Sequence, residues 1–159
     1  MTEHIDDDLQ SYFDGLMNDL NEEKDRSDEL DELFQWTFLG DAKAKRKASW
    51  CVAKMAQNGI QDQRIIDILV PLTECIDPDT RYNVAWGIGE MARIGIGDDR
   101  CVNIIMELMC DPDSKVRTKA FWTATMLRDV LGIRDASLSD RLIRYPMKPR
   151  VTLESHVME

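Results

Sequence analysis

Histidine is nearly missing from this chain of 159 residues: His4 and His156 stand near opposite ends. A zinc or iron centre built on clustered imidazoles therefore has almost nothing to draw on. Cysteine pairs of the metal-binding kind are missing too. Cys51, Cys75, Cys101 and Cys110 all fall inside apolar-periodic segments and no two form a C-x-x-C pair. That pattern favours buried, reduced thiols over a disulfide or metal framework. None of the four has a histidine in its segment to serve as base, so a cysteine nucleophile is not expected. Glycine and proline number only 8 and 5, and no convincing strand precedes a glycine cluster. Gly87-Ile88-Gly89, Gly95 and Gly97 read as helix packing and termination, not as a phosphate loop. No apolar run approaches bilayer length, and Met1 to Asp8 is acidic where a signal peptide is basic and then apolar. The expected setting is cytoplasmic, with no membrane partner, no metal and no cofactor.

What is present is charge, unevenly placed. Residues 1–41 hold 14 acidic and 2 basic side chains, whereas 42–159 hold 16 and 18, giving nets of −12 and +2. The overall −10 therefore belongs to one end of the chain. Nucleic acid is an unexpected partner for so acidic a chain, because phosphates must be neutralised by Lys and Arg. The acidic stretch reads as a solvated helix face, as a surface for a basic partner, or as a segment folded back on the rest. With 43% apolar residues, global disorder is not expected.

The chain also repeats itself. Trp50, Trp86 and Trp122 lie 36 residues apart, and so do Asp41, Asp77 and Asp113, then Lys45, Arg81 and Arg117, then Met55, Met91 and Leu127. A fixed period in the 30s is the mark of stacked helix pairs that cannot bury their apolar faces alone. Ahead of the repeats, Ile5, Leu9, Phe13, Leu16 and Leu20 sit at helical spacing in an amphipathic helix assigned to 1–28. A second helix follows from about Asp28, and Gly40 is expected to end it in the left-handed conformation. The array then runs to 145, with helices opening at Asp41, Asp77–Pro78, and either Asp113 or Asp111–Pro112. Their apolar stripes are Ala48, Val52, Met55; Val84, Ile88, Met91; and Ala120, Ala124, Leu127, with Gly59, Gly95 and Gly132 terminating them. Partner helices are expected over Asp62 to Cys75, Asp98 to Cys110 and Asp135 to Tyr145. Residues 146–159 are expected to be an extended tail, because Pro146 and Pro149 stop regular structure. Lys45, Arg81 and Arg117 are expected to stack from repeat to repeat beside the capping carboxylates as a charge ladder.

The run Asp111-Pro112-Asp113-Ser114-Lys115-Val116-Arg117-Thr118-Lys119-Ala120 resembles the HEAT-repeat turn and helix opening D-P-x-x-x-V-R-x-x-A. Leu69-Val70-Pro71-Leu72 is similar to the family's L-x-P-L element. Val84 to Met91 followed by Gly97-Asp98-Asp99-Arg100 resembles the phycobilin-lyase-type branch, A-A-W-A-L-G-x-I then G-D-x-R. The resemblance covers about Leu30 to Tyr145. It departs in three places: the Asp-Pro turns are 34 residues apart, not 36, repeat one lacks the proline turn, and Thr125 replaces a glycine. It implies an all-α fold, a right-handed α-α superhelix of about three repeats with helical caps. Members range from adaptors and scaffolds to chromophore-lyase subunits, a metal hydroxylase and DNA-repair glycosylases, so fold alone does not choose the function. The hydroxylases need His-Glu dipeptides to hold iron, and this chain has none.

At 100° per residue, each repeated tryptophan points away from the apolar stripe of its own helix. Arg46, Tyr82 and Thr118 fall one turn earlier, Lys54, Glu90 and Met126 one turn later, and Gln57, Arg93 and Asp129 continue the face. In HEAT-like arrays this layer lines the concave side. The candidate partner-binding residues are thus Trp50, Trp86, Trp122, Arg46, Lys54, Tyr82, Glu90 and Arg93, a groove for a peptide or helix of another protein. The indoles packing only against their neighbours is the competing reading. The expected function is a protein–protein interaction adaptor or assembly factor. The alternative is an enzyme or enzyme subunit of the same class, a bilin-lyase-like helper or a DNA-repair glycosylase-like nucleic-acid binder. A homodimer through an uncapped end of the array stays open.

Overall fold

The computed structural model describes residues 2–144, with side chains from Asp7 onward. The expected tail at 146–159 and the last residue of the final helix, Tyr145, lie outside them. The described residues form eight α-helices and no strand. These are α1 (Thr2–Asn21), α2 (Leu30–Leu39), α3 (Ala42–Gln57), α4 (Arg64–Leu69), α5 (Pro78–Arg93), α6 (Asp99–Leu108), α7 (Ser114–Asp129) and α8 (Ala136–Ile143). Helices α3, α5 and α7 pack side by side in chain order. α2, α4, α6 and α8 each pack against their neighbour in that row, and α1 lies against α3.

The apolar stripes explain the packing. Val52, Met55, Val84, Ile88, Met91, Ala120, Ala124 and Leu127 are fully buried, and so are Ile65, Leu69 and Ile105 of the partner helices. All belong to a single cluster that also takes in Phe13, Leu16 and Leu20 of α1. Each large aliphatic side chain so buried contributes about 1.5–3 kcal/mol, far more than helix propensity does. Asn58, at the end of α3, donates from Nδ2 to the Leu20 carbonyl at 2.9 Å, tying down the last turn of α1.

Capping follows the sequence closely. Asp41 accepts from the Ala44 N–H, Asp77 from Thr80, Asp98 from Arg100, Asp113 from Lys115 and Val116, and Asp135 from Leu138. Of the two candidates at the third repeat it is Asp113 that caps, two residues beyond the Asp111–Pro112 turn. That offset accounts for Asp-Pro turns 34 residues apart under helices spaced by 36. Gly59 and Gly95 take φ of +96° and +90°. There the N–H groups of Ile60 and Ile96 return to Met55 and Met91, closing the helix ends with a left-handed glycine.

Three expectations change. Gly40 is extended, with φ −75° and ψ 162°, so it does not end α2 through the left-handed region. It is glycine for space, since a Cβ there would press on the Trp36 carbonyl oxygen and lie 2.7 Å from the Ala44 Cβ. The helix expected over Asp62 to Cys75 is α-helical only to Leu69 and continues as a 3₁₀ turn, Val70–Glu74. Pro71 has no N–H to return to the preceding turn, so the α-ladder cannot continue through it. The expected charge ladder is also different. Arg81 Nη1 donates to the carbonyls of Cys75 and Ile76 at 2.8 and 2.7 Å, and Arg117 Nη1 to those of Asp111 and Pro112 at 2.8 and 3.0 Å. Each arginine thus grips the turn before its own helix. Only Arg81 reaches a carboxylate of the next repeat, making two hydrogen bonds to Asp111 at 2.8 and 3.0 Å. An ion-pair ladder does exist elsewhere: Arg64 bridges Asp31 and Asp62, and 36 residues on Arg100 bridges Asp67 and Asp98.

Candidate functional site: the tryptophan face

Because α3, α5 and α7 lie side by side and carry tryptophan at equivalent positions, Trp50, Trp86 and Trp122 come together on one face. All three are half-buried. The rings of Trp50 and Trp86 are 6.1 Å apart, tilted by 60°, within the range of favourable aromatic contact. Trp122 lies across α5 at Gly89, where a Cβ would collide with the indole. Above it, Lys119 Nζ sits 4.6 Å from the Trp122 ring centre and 5.6 Å from that of Tyr82, placing an ammonium over two π faces. An open cavity of about 670 Å³ adjoins these rings, lined by Pro78, Asp79, Tyr82, Lys115, Lys119 and Trp122 among others.

Hydrogen bonds beneath the indoles fix the register of the three helices. Asn83 Nδ2 donates to the Arg46 carbonyl at 3.2 Å and to Ser49 Oγ at 3.0 Å, joining α5 to α3. Thr123 Oγ1 donates to the Ala85 carbonyl at 2.6 Å, joining α7 to α5. Both side chains are buried, where an unpaired polar group would cost about 1–3 kcal/mol. Asn83, Thr123 and Lys119 were not among the residues singled out from sequence, whereas Gly89 was read as a helix-packing glycine, the role it has against Trp122. Lys119 was within reach, since it precedes Trp122 by three residues and shares its helix face.

The charged candidates divide by what already holds them. Arg46 Nε donates to Asp77 Oδ2 at 2.7 Å, linking α3 to the start of α5. Glu90 is only 6% exposed, and its Oε1 accepts from Arg93 Nε at 2.7 Å while Arg93 Nη2 reaches the Gln57 carbonyl at 3.2 Å. Glu90 is therefore placed under the face and coupled to Arg93. Lys54 Nζ donates to Gln57 Oε1 at 2.6 Å within its own helix. Tyr82 lines the cavity. Comparison with protein-family models, with characterised proteins and with solved structures returns no match to this chain.

Burial raises three of the four thiols above their ordinary value. Burial pushes Cys51 up to about 12 from its ordinary 9.0, and burial also raises Cys101 and, to a lesser depth, Cys75. Cys51 and Cys101 are buried, whereas Cys75 and Cys110 are half-buried, a shallower placement than expected for two of the four. Among the described residues no group of three or more His, Cys, Asp or Glu side chains gathers where a metal ion could be held. Among the same residues no helix is long and apolar enough to cross a membrane.

Proposed function

We propose that this chain is a small HEAT-like array, a right-handed α-α superhelix of about three repeats with helical caps. On this reading the tryptophan face is its concave side and binds a segment of another protein, so the chain is an adaptor or assembly factor and not an enzyme. Support for the array comes from features recurring at one interval: aspartate caps, glycine ends, and the Asp–Arg–Asp bridges around Arg64 and Arg100. The observation that carries the functional reading is the three half-buried indoles held side by side by packed neighbours. Aromatic anchors on a rigid scaffold lose little entropy when a partner covers them, and such residues dominate binding energy. The test is Trp86→Ala. Loss of an anchor of this kind costs about 2 kcal/mol or more, so partner binding weakens by at least about 30-fold while the helical circular dichroism stays near that of the parent. If binding and helicity fall together, the indole is a packing residue and the reading is lost.

A further inference from the structure

Cations on this face are of two kinds, and the division indicates what the partner looks like. Arginines are engaged within the fold: Arg46 with Asp77 and Arg93 with Glu90 here, with Arg64, Arg81 and Arg100 bridging elsewhere. Lysines are not. Lys43, Lys47 and Lys54 on α3, and Lys115 and Lys119 on α7, all project within about 60° of the tryptophan of their own helix, by the 100° turn per residue. None of the five forms an ion pair with a carboxylate among the described residues. Against them stands Asp79, which lines the cavity with Lys115 and Lys119 and also feels the charge of Arg46. On a protein of net charge −10, these five lysines place positive charge beside the half-buried indoles. Lysines held by no carboxylate keep their charge uncompensated, so they set the sign of the local field and steer an oppositely charged partner.

We infer that the tryptophan face docks an acidic, amphipathic protein segment, its apolar side chains on Trp50, Trp86 and Trp122 and its carboxylates on the lysines of α3 and α7. The inference rests on the proposed docking role of the face and adds the chemistry of the occupant. An acidic protein segment fits better than nucleic acid. The arginines of this face, whose planar forks suit phosphate, are already taken, and the −12 borne by residues 1–41 repels a polyanion at long range, where a short peptide carries fewer charges to repel. Three helices packed at about 8–10 Å spacing span roughly 20 Å, the length of a helix of about 14 residues.

The test uses the full chain and three fluorescein-labelled probes: a peptide of that length with Leu and Phe on one face and Glu on the other, its twin with Lys for Glu, and oligothymidylate. The acidic peptide should bind tightest, weaken as salt is raised, and lose about tenfold or more in affinity on Lys47→Glu with Lys119→Glu. Lys45→Glu, which makes the same change in charge off this face, should have little effect. Lys43→Gln with Lys115→Gln should weaken binding in the same sense, keeping the test valid should the double reversal unfold. Preference for the basic twin, with binding still lost on Trp86→Ala, overturns the charge assignment and leaves docking intact. Preference for oligothymidylate overturns the choice of an acidic protein segment. Binding of neither peptide overturns both the inference and the docking reading beneath it.

Discussion

Two glycines in helix interiors should respond to the same substitution with opposite sign. Replacing glycine by alanine inside a helix ordinarily stabilises by about 0.5–1 kcal/mol, because the unfolded chain loses freedom. Gly15 in α1 meets those conditions, since nothing lies within 4 Å of a Cβ placed there. At Gly89 the same methyl would run into the Trp122 indole, 2.8 Å from Cε3, and would lie 2.5 Å from Thr123 Oγ1. The indole is rigid and cannot swing aside as a flexible side-chain end would. The threonine hydroxyl is held by the Ala85 carbonyl. Overpacking of this kind costs about 1–3 kcal/mol, which outweighs the helical gain. Gly15→Ala should thus raise stability by about 0.5–1 kcal/mol and Gly89→Ala lower it by up to about 2 kcal/mol. With a urea slope near 2 kcal/mol/M, the latter moves the unfolding midpoint down by as much as about 1 M. Urea titrations followed by circular dichroism measure both. Tryptophan emission of folded Gly89→Ala should also shift as Trp122 lifts from α5. A Gly89→Ala protein as stable as the parent, with unchanged emission, refutes the close packing of α5 on α7.

Other consequences follow from the same contacts. Arg81→Ala should destabilise by about 3–5 kcal/mol, because it leaves the Asp111 carboxylate, 3% exposed, without its counter-charge; chemical denaturation reads this directly, and a loss below 1 kcal/mol contradicts a buried pair. Tyr12 has its hydroxyl buried with no hydrogen-bond partner among the described residues, so Tyr12→Phe should be neutral or stabilising by up to about 1 kcal/mol; a clear loss of thermal stability would show that the hydroxyl has a partner. Burial keeps the Cys51 thiol neutral to about pH 12 when folded, whereas in the unfolded chain it ionises near 9.0. The folded pKa being the higher, its contribution is whole below about pH 9 and is lost as pH rises toward 12. Cys51→Ala should therefore flatten the decline of stability above pH 9, and an unchanged slope counts against the deep burial of this thiol.

Much of the architecture was legible in the sequence because each repeat states its own rules. Asp41, Asp77 and Asp113 announce helix starts through a backbone need that only a short acceptor meets, and Gly59 and Gly95 announce ends through a positive φ. The errors have a common origin in space, not in pattern. Gly40 looked like a left-handed cap but is glycine because the Trp36 carbonyl and Ala44 come close. Arg81 and Arg117 repeat at the right interval, yet both grip turn carbonyls, which any sequence supplies and none advertises, and of the two only Arg81 also reaches a carboxylate, that of Asp111. At the candidate site the tryptophans were visible through periodicity. Asn83 and Thr123, which fix their register, were not, because a buried polar side chain and an exposed one look alike until the neighbouring helix is in place. Glu90 illustrates the same limit: its spacing put it on the face, and packing drew it beneath and onto Arg93.

The central claim is that an accessible row of indoles lies under positive potential on an acidic protein, and collisional quenching tests it without any partner. In a Trp36→Phe background, which removes the one tryptophan outside the row, iodide and caesium should be compared as quenchers at matched ionic strength. Lysines around Trp50, Trp86 and Trp122 should concentrate the anion, so iodide should quench more strongly than caesium despite the net charge of −10. Quenching by caesium that equals or exceeds that of iodide, or no quenching by either, contradicts the account.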